Sequence, residues 1–429
     1  MMKALKWVGI VSGVLVAFVI IALAGIHIYD PESRESWVKP GIAQEEIPAG
    51  IEASVVFENV TVIPMDNERI LDGQTVLIND GRIAELGTGG EIDIPADAQV
   101  VDGAGKFLIP GSGDMHVHWR GAENDMLVYL ANGVTLIRTM GGETPAILEY
   151  RDEINAGTRV GPSILAWWPS IETDVFGGGD PEWIREFQTR GGETYVHTPA
   201  EAEQLVAEAA ALGVDGIKSH NVVPTGIFLA LMESAAEHDL PFDGHAPADH
   251  ANCRPDKPEC VCARRDCWNA FRNMGAPALA HVEELIKVVD LVDVNSRQAS
   301  DESIRQIAQD AADDGLWVTT TLNLMRSIAD QAADLEGTLA TMPEVKYVHP
   351  RVFDTGKWGP GENYYVETGS RPWWPEYVAA QEKMVQALNE QGGLIMSGTD
   401  ATTPVMVPGF SLHDELETMV DVGLPPMTS

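Results

Sequence analysis

Ile109-Pro-Gly-Ser-Gly-Asp-Met-His-Val-His118 runs from a Pro-Gly corner into a short stretch that ends on two histidines one residue apart. Residues two apart on a strand share a face, so His116 and His118 can project together toward one ion while Val117 packs the other way. Working outward, Asp114 precedes the pair, and Lys218, His245, His281 and Asp400 follow at wide intervals. Each closes a run where a barrel strand should end. Metal-ligand residue types dispersed over strand ends point to a metallohydrolase seated in a barrel mouth, with polar filling of the barrel interior as the blander reading of the histidines.

The intervals support the barrel, because one βα unit of a (β/α)₈ barrel takes roughly 30 residues. His118 to Lys218 is 100 residues, Lys218 to His245 is 27, His245 to His281 is 36, and His281 to Asp400 is 119. These fit strands 1, 4, 5, 6 and 8, with a large insertion before the last. Apolar runs at Val134 to Arg138, Ser163 to Trp167, Val214 to Lys218, Leu240 to Gly244, Ala278 to Ala280, Leu316 to Thr321 and Leu394 to Ser397, with the run into His116, make up eight strands. Glu201 to Leu212, Ile227 to His238, Glu302 to Ala312, Glu376 to Asn389 and Leu412 to Val422 carry apolar residues at helical spacing. Strand alternating with helix predicts a parallel sheet in an α/β fold.

Residues 52–108 read as a small β domain, with short strands at Ala53 to Val62, Thr75 to Asn79, Arg82 to Leu86 and Gln99 to Asp102, and a hairpin turn at Asn79-Asp80-Gly81. The barrel is expected over 109–429, with a Cys-rich insert at 249–268 and a lid at 322–375. Residues 1–30 are set apart, and 31–51 serve as a linker. Lys3 and Lys6 precede Trp7 to Ile26, 20 residues with no charge, long enough to cross a bilayer of about 30 Å. This predicts an uncleaved membrane anchor, lysines inside and the barrel extracytoplasmic (periplasmic), with secretion as the outcome if the chain is cut after Ala24. Cys253, Cys260, Cys262 and Cys267 suit such a compartment as disulfides. Four cysteines allow three pairings, and the one joining Cys260 to Cys262 is sterically poor, which leaves two; a structural zinc site is the rival.

Acidic residues number 65 against 28 basic, a net charge of −37, which argues against nucleic-acid partners and otherwise describes a solvated surface.

Ile109 to His118 is similar to the first-strand signature of the amidohydrolase superfamily. Leu130-Ala-Asn-Gly-Val-Thr135, Gly216-Ile-Lys-Ser-His220, Gly244-His-Ala-Pro247, Ala280-His281, Ser397-Gly-Thr-Asp400 and Pro408-Gly-Phe-Ser-Leu-His-Asp-Glu-Leu416 resemble its imidazolonepropionase-like and prolidase-like branch. The resemblance implies a TIM-like barrel and a two-metal centre, usually zinc, with His116 and His118 on one ion and His245 and His281 on the other. Lys218 would bridge them as a carboxylated lysine, since a carbamate offers two anionic oxygens and an ammonium none; otherwise its stem packs in the wall and its head reaches solvent. Asp400 would ligate metal and transfer the proton when a metal-activated hydroxide cleaves a C–N bond; its alternative is to cap the helix after strand 8. Asp114 is expected to orient a histidine rather than ligate. Leu-Ala-His-Val-Glu around His281 departs from the family, which usually has an acidic residue before the histidine.

His220 and His413 are further candidates for substrate contact or support, each with a plain surface role as its alternative. Trp358, Tyr364, Tyr365, Trp373 and Trp374 in the lid suit apolar substrates, or pack the lid's own core. Relatives usually continue past Ser429 into strands that complete a β-sandwich, which predicts a fragment with an incomplete sandwich and an exposed edge. The expected substrates are small amides, cyclic amides, N-acyl amino acids or dipeptide-like molecules. An esterase, lactonase or phosphoesterase on the same site, or an inactive metal- or ligand-binding surface protein, are the alternatives.

Overall fold

A computed structural model describes residues 54–141, 146–173, 193–220, 223–247, 264–293, 295–355, 358–359, 363–368 and 371–426. All of them fall in one compact unit, Pro48–Ser429.

The unit opens with a five-stranded sheet made of β1 (Val55–Val62), β2 (Leu71–Asn79), β3 (Arg82–Thr88), β4 (Gln99–Asp102) and β5 (Phe107–Leu108), ordered β3-β2-β1-β4 with β5 also pairing β1. The β2–β3 hairpin forms at the predicted turn. Asn79 pairs with Arg82, and Asp80 and Gly81 both take positive φ, the geometry that lets a two-residue turn match strand twist. Val60, Val62 and Val76 form a buried apolar cluster with Phe57, Leu71, Ile78 and Leu108 packed against it, while Ile83, Val100 and Phe107 are exposed. Among the described residues this is a single sheet, and a second layer of the incomplete sandwich expected from the sequence is not shown.

Eight further strands take the predicted places: β6 (Ser112–Val117), β7 (Val134–Met140), β8 (Ser163–Glu172), then, after the short β9 (Glu193–Tyr195), β10 (Gly216–Ser219), β11 (Phe242–Gly244) and β12 (Ala278–Leu279). A small antiparallel pair, β13 (Leu291–Asp293) and β14 (Gln298–Ala299), intervenes before β15 (Trp317–Thr319) and β16 (Leu394–Met396). They form two parallel sheets, β11-β10-β8-β7-β6 with β9 on β8, and β12-β15-β16. Among the described residues no strand ladder joins the two sheets, but backbone bonds cross both seams: Ala280 N donates to Gly244 O at 2.9 Å, Met115 N to Ser397 O at 3.0 Å and Asp400 N to His116 O at 2.7 Å.

Helices follow the strands and cover them. Pro199–Leu212 starts on Thr198, whose side chain accepts from Glu201 N, and stops at Gly213 in the left-handed region. Its Ala202, Val206 and Ala209 join Ile217, Phe228, Leu231 and Phe242 in one apolar core. Val117 lies in that core as well, which turns its neighbours His116 and His118 to the opposite face. Burying side chains of this size stabilises by about 1.5–3 kcal/mol each, so the strands are fixed by their apolar face and the polar one is left for chemistry.

The 322–375 insert is largely helical, with helices at Leu322–Ala340, Pro350–Thr355 and Tyr364–Thr368. Trp358 is fully buried against Val348, Val352 and Val407, and Tyr365 and Trp374 pack with Met325, Ile328, Ala401 and Met406. Its aromatics therefore build local cores. Cys267 is buried on helix Arg264–Met274 and disulfide-bonded; Cys253, Cys260 and Cys262 lie outside the described residues.

The expected membrane location is corrected. No helix among the described residues is long and apolar enough to cross a membrane, and Trp7 to Ile26, on which the expectation rested, lies outside them. Membrane anchoring and an extracytoplasmic barrel are set aside.

Candidate metal centre

His116 and His118 leave the end of β6 on one face, and the turn after β16 carries Asp400 back to meet them. His118 Nε2 lies 2.8 Å and His116 Nε2 3.3 Å from Asp400 Oδ1, and the two Nε2 atoms are 3.3 Å apart. His116 Nδ1 donates to Ala280 O at 3.1 Å, which leaves its Nε2 as a lone-pair donor pointing inward. Asp400 Oδ1 is buried and has no hydrogen-bond partner of good geometry. A carboxylate oxygen without a hydrogen-bond partner and two imidazole nitrogens converge within 4.8 Å of one another, a set that a divalent cation could complete, so these residues fit the metal implied by the sequence.

Two more histidines adjoin the first. The His281 ring is 4.4 Å from that of His116, and the His245 ring is 4.9 Å from that of His281. Each is held by its Nδ1 atom: His245 on Glu284 Oε1 at 2.7 Å and His281 on Thr321 Oγ1 at 2.9 Å. Outer partners of this kind fix the tautomer that presents Nε2 to a metal. Lys218 is fully buried on β10 with Nζ 3.1 Å from His116 Nε2. A head reaching solvent is therefore not what this lysine does.

Burial dominates the electrostatics. It pushes the His118 imidazole down to about 4 and His281 to about 3, and holds His116 and His245 well below their ordinary value, with the Lys218 charge acting in the same direction on all four. All four are neutral near pH 7, the form that ligates metal. Burial alone would raise the Asp400 carboxyl, but His118, His281 and Lys218 reverse that and keep it well below the usual carboxylate range.

Asp114 accepts from Thr399 N at 3.0 Å, from Thr399 Oγ1 at 2.7 Å and from His116 N at 3.3 Å. It ties β6 to the Asp400 turn and offers no atom to the cluster beyond that. Asp400 does not cap a helix with its side chain; its backbone oxygen accepts from Thr403 N, and the next helix begins only at Phe410. His220 does reach the cluster, edge-on to His245 at 5.0 Å. His413 does not: it is exposed, and its Nε2 donates to Asn132 O at 2.9 Å.

The sequence reading missed the residues that hold the donors. Glu284 and Thr321 were not singled out, nor was Arg138. Arg138 is buried on β7, where it donates to Met115 O at 2.6 Å and Thr319 Oγ1 at 3.3 Å, pairs with Asp243 at 2.9 Å and lies over the Trp167 ring. One guanidinium thus ties β7 to β6, β8, β11 and β15. A lone arginine inside a strand run was the available signal, since an unpaired charge is rarely buried. Gly398 has a reason too, because a Cβ there would meet Thr319 Cγ2 at 2.5 Å and His116 Cβ at 2.8 Å.

No protein-family model matches the chain. Among solved structures, bottromycin amidohydrolase is 20% identical, with a TM-score of 0.60 over 92% of this chain and 80% of that one. A Xaa-Pro dipeptidase with methionine bound in its active site is 16% identical, with a TM-score of 0.59 over 87% of this chain and 85% of that one. The fold is that of the amidohydrolases. Two curated proteins match short segments: the dihydroorotase of Geotalea daltonii is 53% identical over 45 residues, 10% of each chain, and the adenine deaminase of Ruegeria pomeroyi is 29% identical over 90 residues, 21% of this chain and 15% of that one. The chain matches less than a fifth of either relative's own length, so these likenesses concern a segment and not a reaction.

Proposed function

We propose that this protein is a metal-dependent hydrolase of C–N bonds in amides, cyclic amides, N-acyl amino acids or dipeptide-like molecules, working in the mouth of a (β/α)₈ barrel built from the two parallel sheets. The convergence of His116, His118 and Asp400, whose ligand atoms lie within 4.8 Å of one another, carries this reading. His116 and His118 with Asp400 would hold one zinc ion and His245 with His281 a second, bridged by carboxylated Lys218. A bound metal pair polarises the scissile carbonyl and makes water a competent nucleophile at neutral pH.

The chain's own residues do the rest. Asp400, held ionised, takes the proton of the attacking water and returns it to the leaving nitrogen. Glu284 and Thr321 keep the two outer histidines in one tautomer, so proton traffic is confined to Asp400. His220, beside His245, would contact the substrate.

Metal analysis of the purified protein tests this reading, with two metals per chain expected, falling to one in Lys218→Ala. Asp400→Asn should lower amide turnover by about 10²–10⁴-fold while metal is retained, the range for loss of a general base. A folded sample without metal, or ester turnover that far exceeds amide turnover, would overturn it.

A further inference from the structure

Glu415 lies on the helix Phe410–Asp421 and is fully buried. Its carboxylate takes a position in a different part of the chain, at the start of helix Leu322–Ala340. Oε1 accepts from Leu322 N at 2.9 Å and from Thr320 Oγ1, and Oε2 accepts from Asn323 N at 2.6 Å. These two amides belong to the first turn of a helix, where no intrahelical acceptor exists. Thr321, the residue at the cap position, makes no side-chain cap of its own. Its hydroxyl is turned instead to His281 Nδ1 at 2.9 Å.

Thr321 also takes φ of +47°, a left-handed conformation that a β-branched residue adopts at a cost of order 1–3 kcal/mol and only when its surroundings impose it. The surroundings here are specific. Thr320 is bound at its amide to Met396 O at 3.0 Å and at its hydroxyl to Glu415, and Leu322 is bound at its amide to Glu415. Both flanks of Thr321 are clamped by the same carboxylate.

We infer that Glu415 is a positioning residue for the metal centre: by clamping Thr320 to Asn323 it holds Thr321 in the conformation that orients the His281 ring. It touches no reacting atom and acts through Thr321 alone. The inference rests on His281 being a ligand, as proposed above, yet its geometry can be read without metal.

The test combines two readouts on the wild type, Thr321→Val, Glu415→Gln and the double variant. Selective ¹⁵N-histidine labelling of the metal-free protein reports which His281 nitrogen carries the proton. Competition with a chromophoric chelator reports zinc affinity. Glu415→Gln turns an amide NH2, itself a donor, toward the N–H of Leu322 or Asn323, so one clamp bond is lost at nearly constant shape. We expect the His281 Nδ1–H signal to shift or broaden in both single variants. Affinity for one zinc should fall about 10–100-fold, the usual effect of removing an outer partner, and the double variant should bind no more weakly than Thr321→Val, because both act along one path. Losses that multiply in the double variant, or a Glu415→Gln protein with wild-type His281 signal and wild-type zinc affinity, would sink the inference. If Glu415→Gln does not fold, Glu415→Asp, which keeps the charge and withdraws the oxygens, is read by the same criteria. A wild type that binds no zinc removes the metal reading, while the histidine signal still decides the role of Glu415.

Discussion

Strand β6 and the turn after β16 bring His116, His118 and Asp400 to one point, so this half of the cluster is made of candidate ligand atoms that face each other directly. The half at β11 and β12 is made differently. His245 and His281 each stand on a partner that the chain brings from elsewhere, Glu284 and Thr321. The first half is set by which residues sit on a strand face. The second is set by hydrogen bonds to side chains on helices and turns, and its sensitivity to substitution should be graded accordingly.

Breaking the first half should have the largest effect. Replacing His116 and His118 together by alanine should abolish bound metal and reduce amide turnover to background, read by elemental analysis beside a turnover assay; full activity in that variant would mean that the two halves do not form one centre. Weakening the second half should be milder. Glu284→Gln keeps the shape but loses the charge that His245 and Lys287 share, at 2.7 and 2.6 Å, and metal affinity should fall about 10–100-fold, measurable by chelator competition.

The comparison sharpens with pH. The unfolded histidines bind protons below about 6.5, whereas folded His118 and His281 do so only near 4 and 3, because burial penalises their charged form. Between those limits the unfolded state carries more protons, so stability falls as pH falls from about 6.5 toward 4 and is fully present above it. Thermal melting of the metal-free protein should show this loss. The double His116 and His118 variant should lose part of the slope while keeping the part that belongs to His245 and His281. The smallest effect is expected at His413, where alanine removes one exposed bond to Asn132 O and should change turnover less than about twofold and stability within about 0.5 kcal/mol.

The strand-end donors were legible because histidine and lysine at the close of apolar runs are uncommon and their intervals match a repeating unit. The residues that orient them were hidden by background. Glu284 and Glu415 are two among 65 acidic residues, most of which belong to a solvated surface, and nothing in their local pattern distinguishes a buried carboxylate from an exposed one. Thr321 was hidden for another reason: its role depends on a backbone angle that its side chain disfavours, and propensity points away from it. Strand order was legible from hydrophobic runs, but the two seams were not, since β11, β12, β15 and β16 span only two or three residues each and leave little ladder to pair. The incomplete sandwich was expected from the family resemblance and not from the residues of the sheet, and the described residues show a single sheet there.

The bond from Thr399 N to Asp114 Oδ1 joins residues 285 apart in the chain. A ribosome adding about 5–20 residues per second needs roughly 15–60 s to travel that distance. Throughout that interval the first strand has emerged with His116 and His118 already present, while the residue that completes their set has not been made. A nascent chain in this window holds two imidazoles and no Asp400, a weak and unselective trap for whatever cation passes. On the proposed reading, whatever selectivity Asp400 adds to His116 and His118 can arise only after β16 and the turn that follows it have been made.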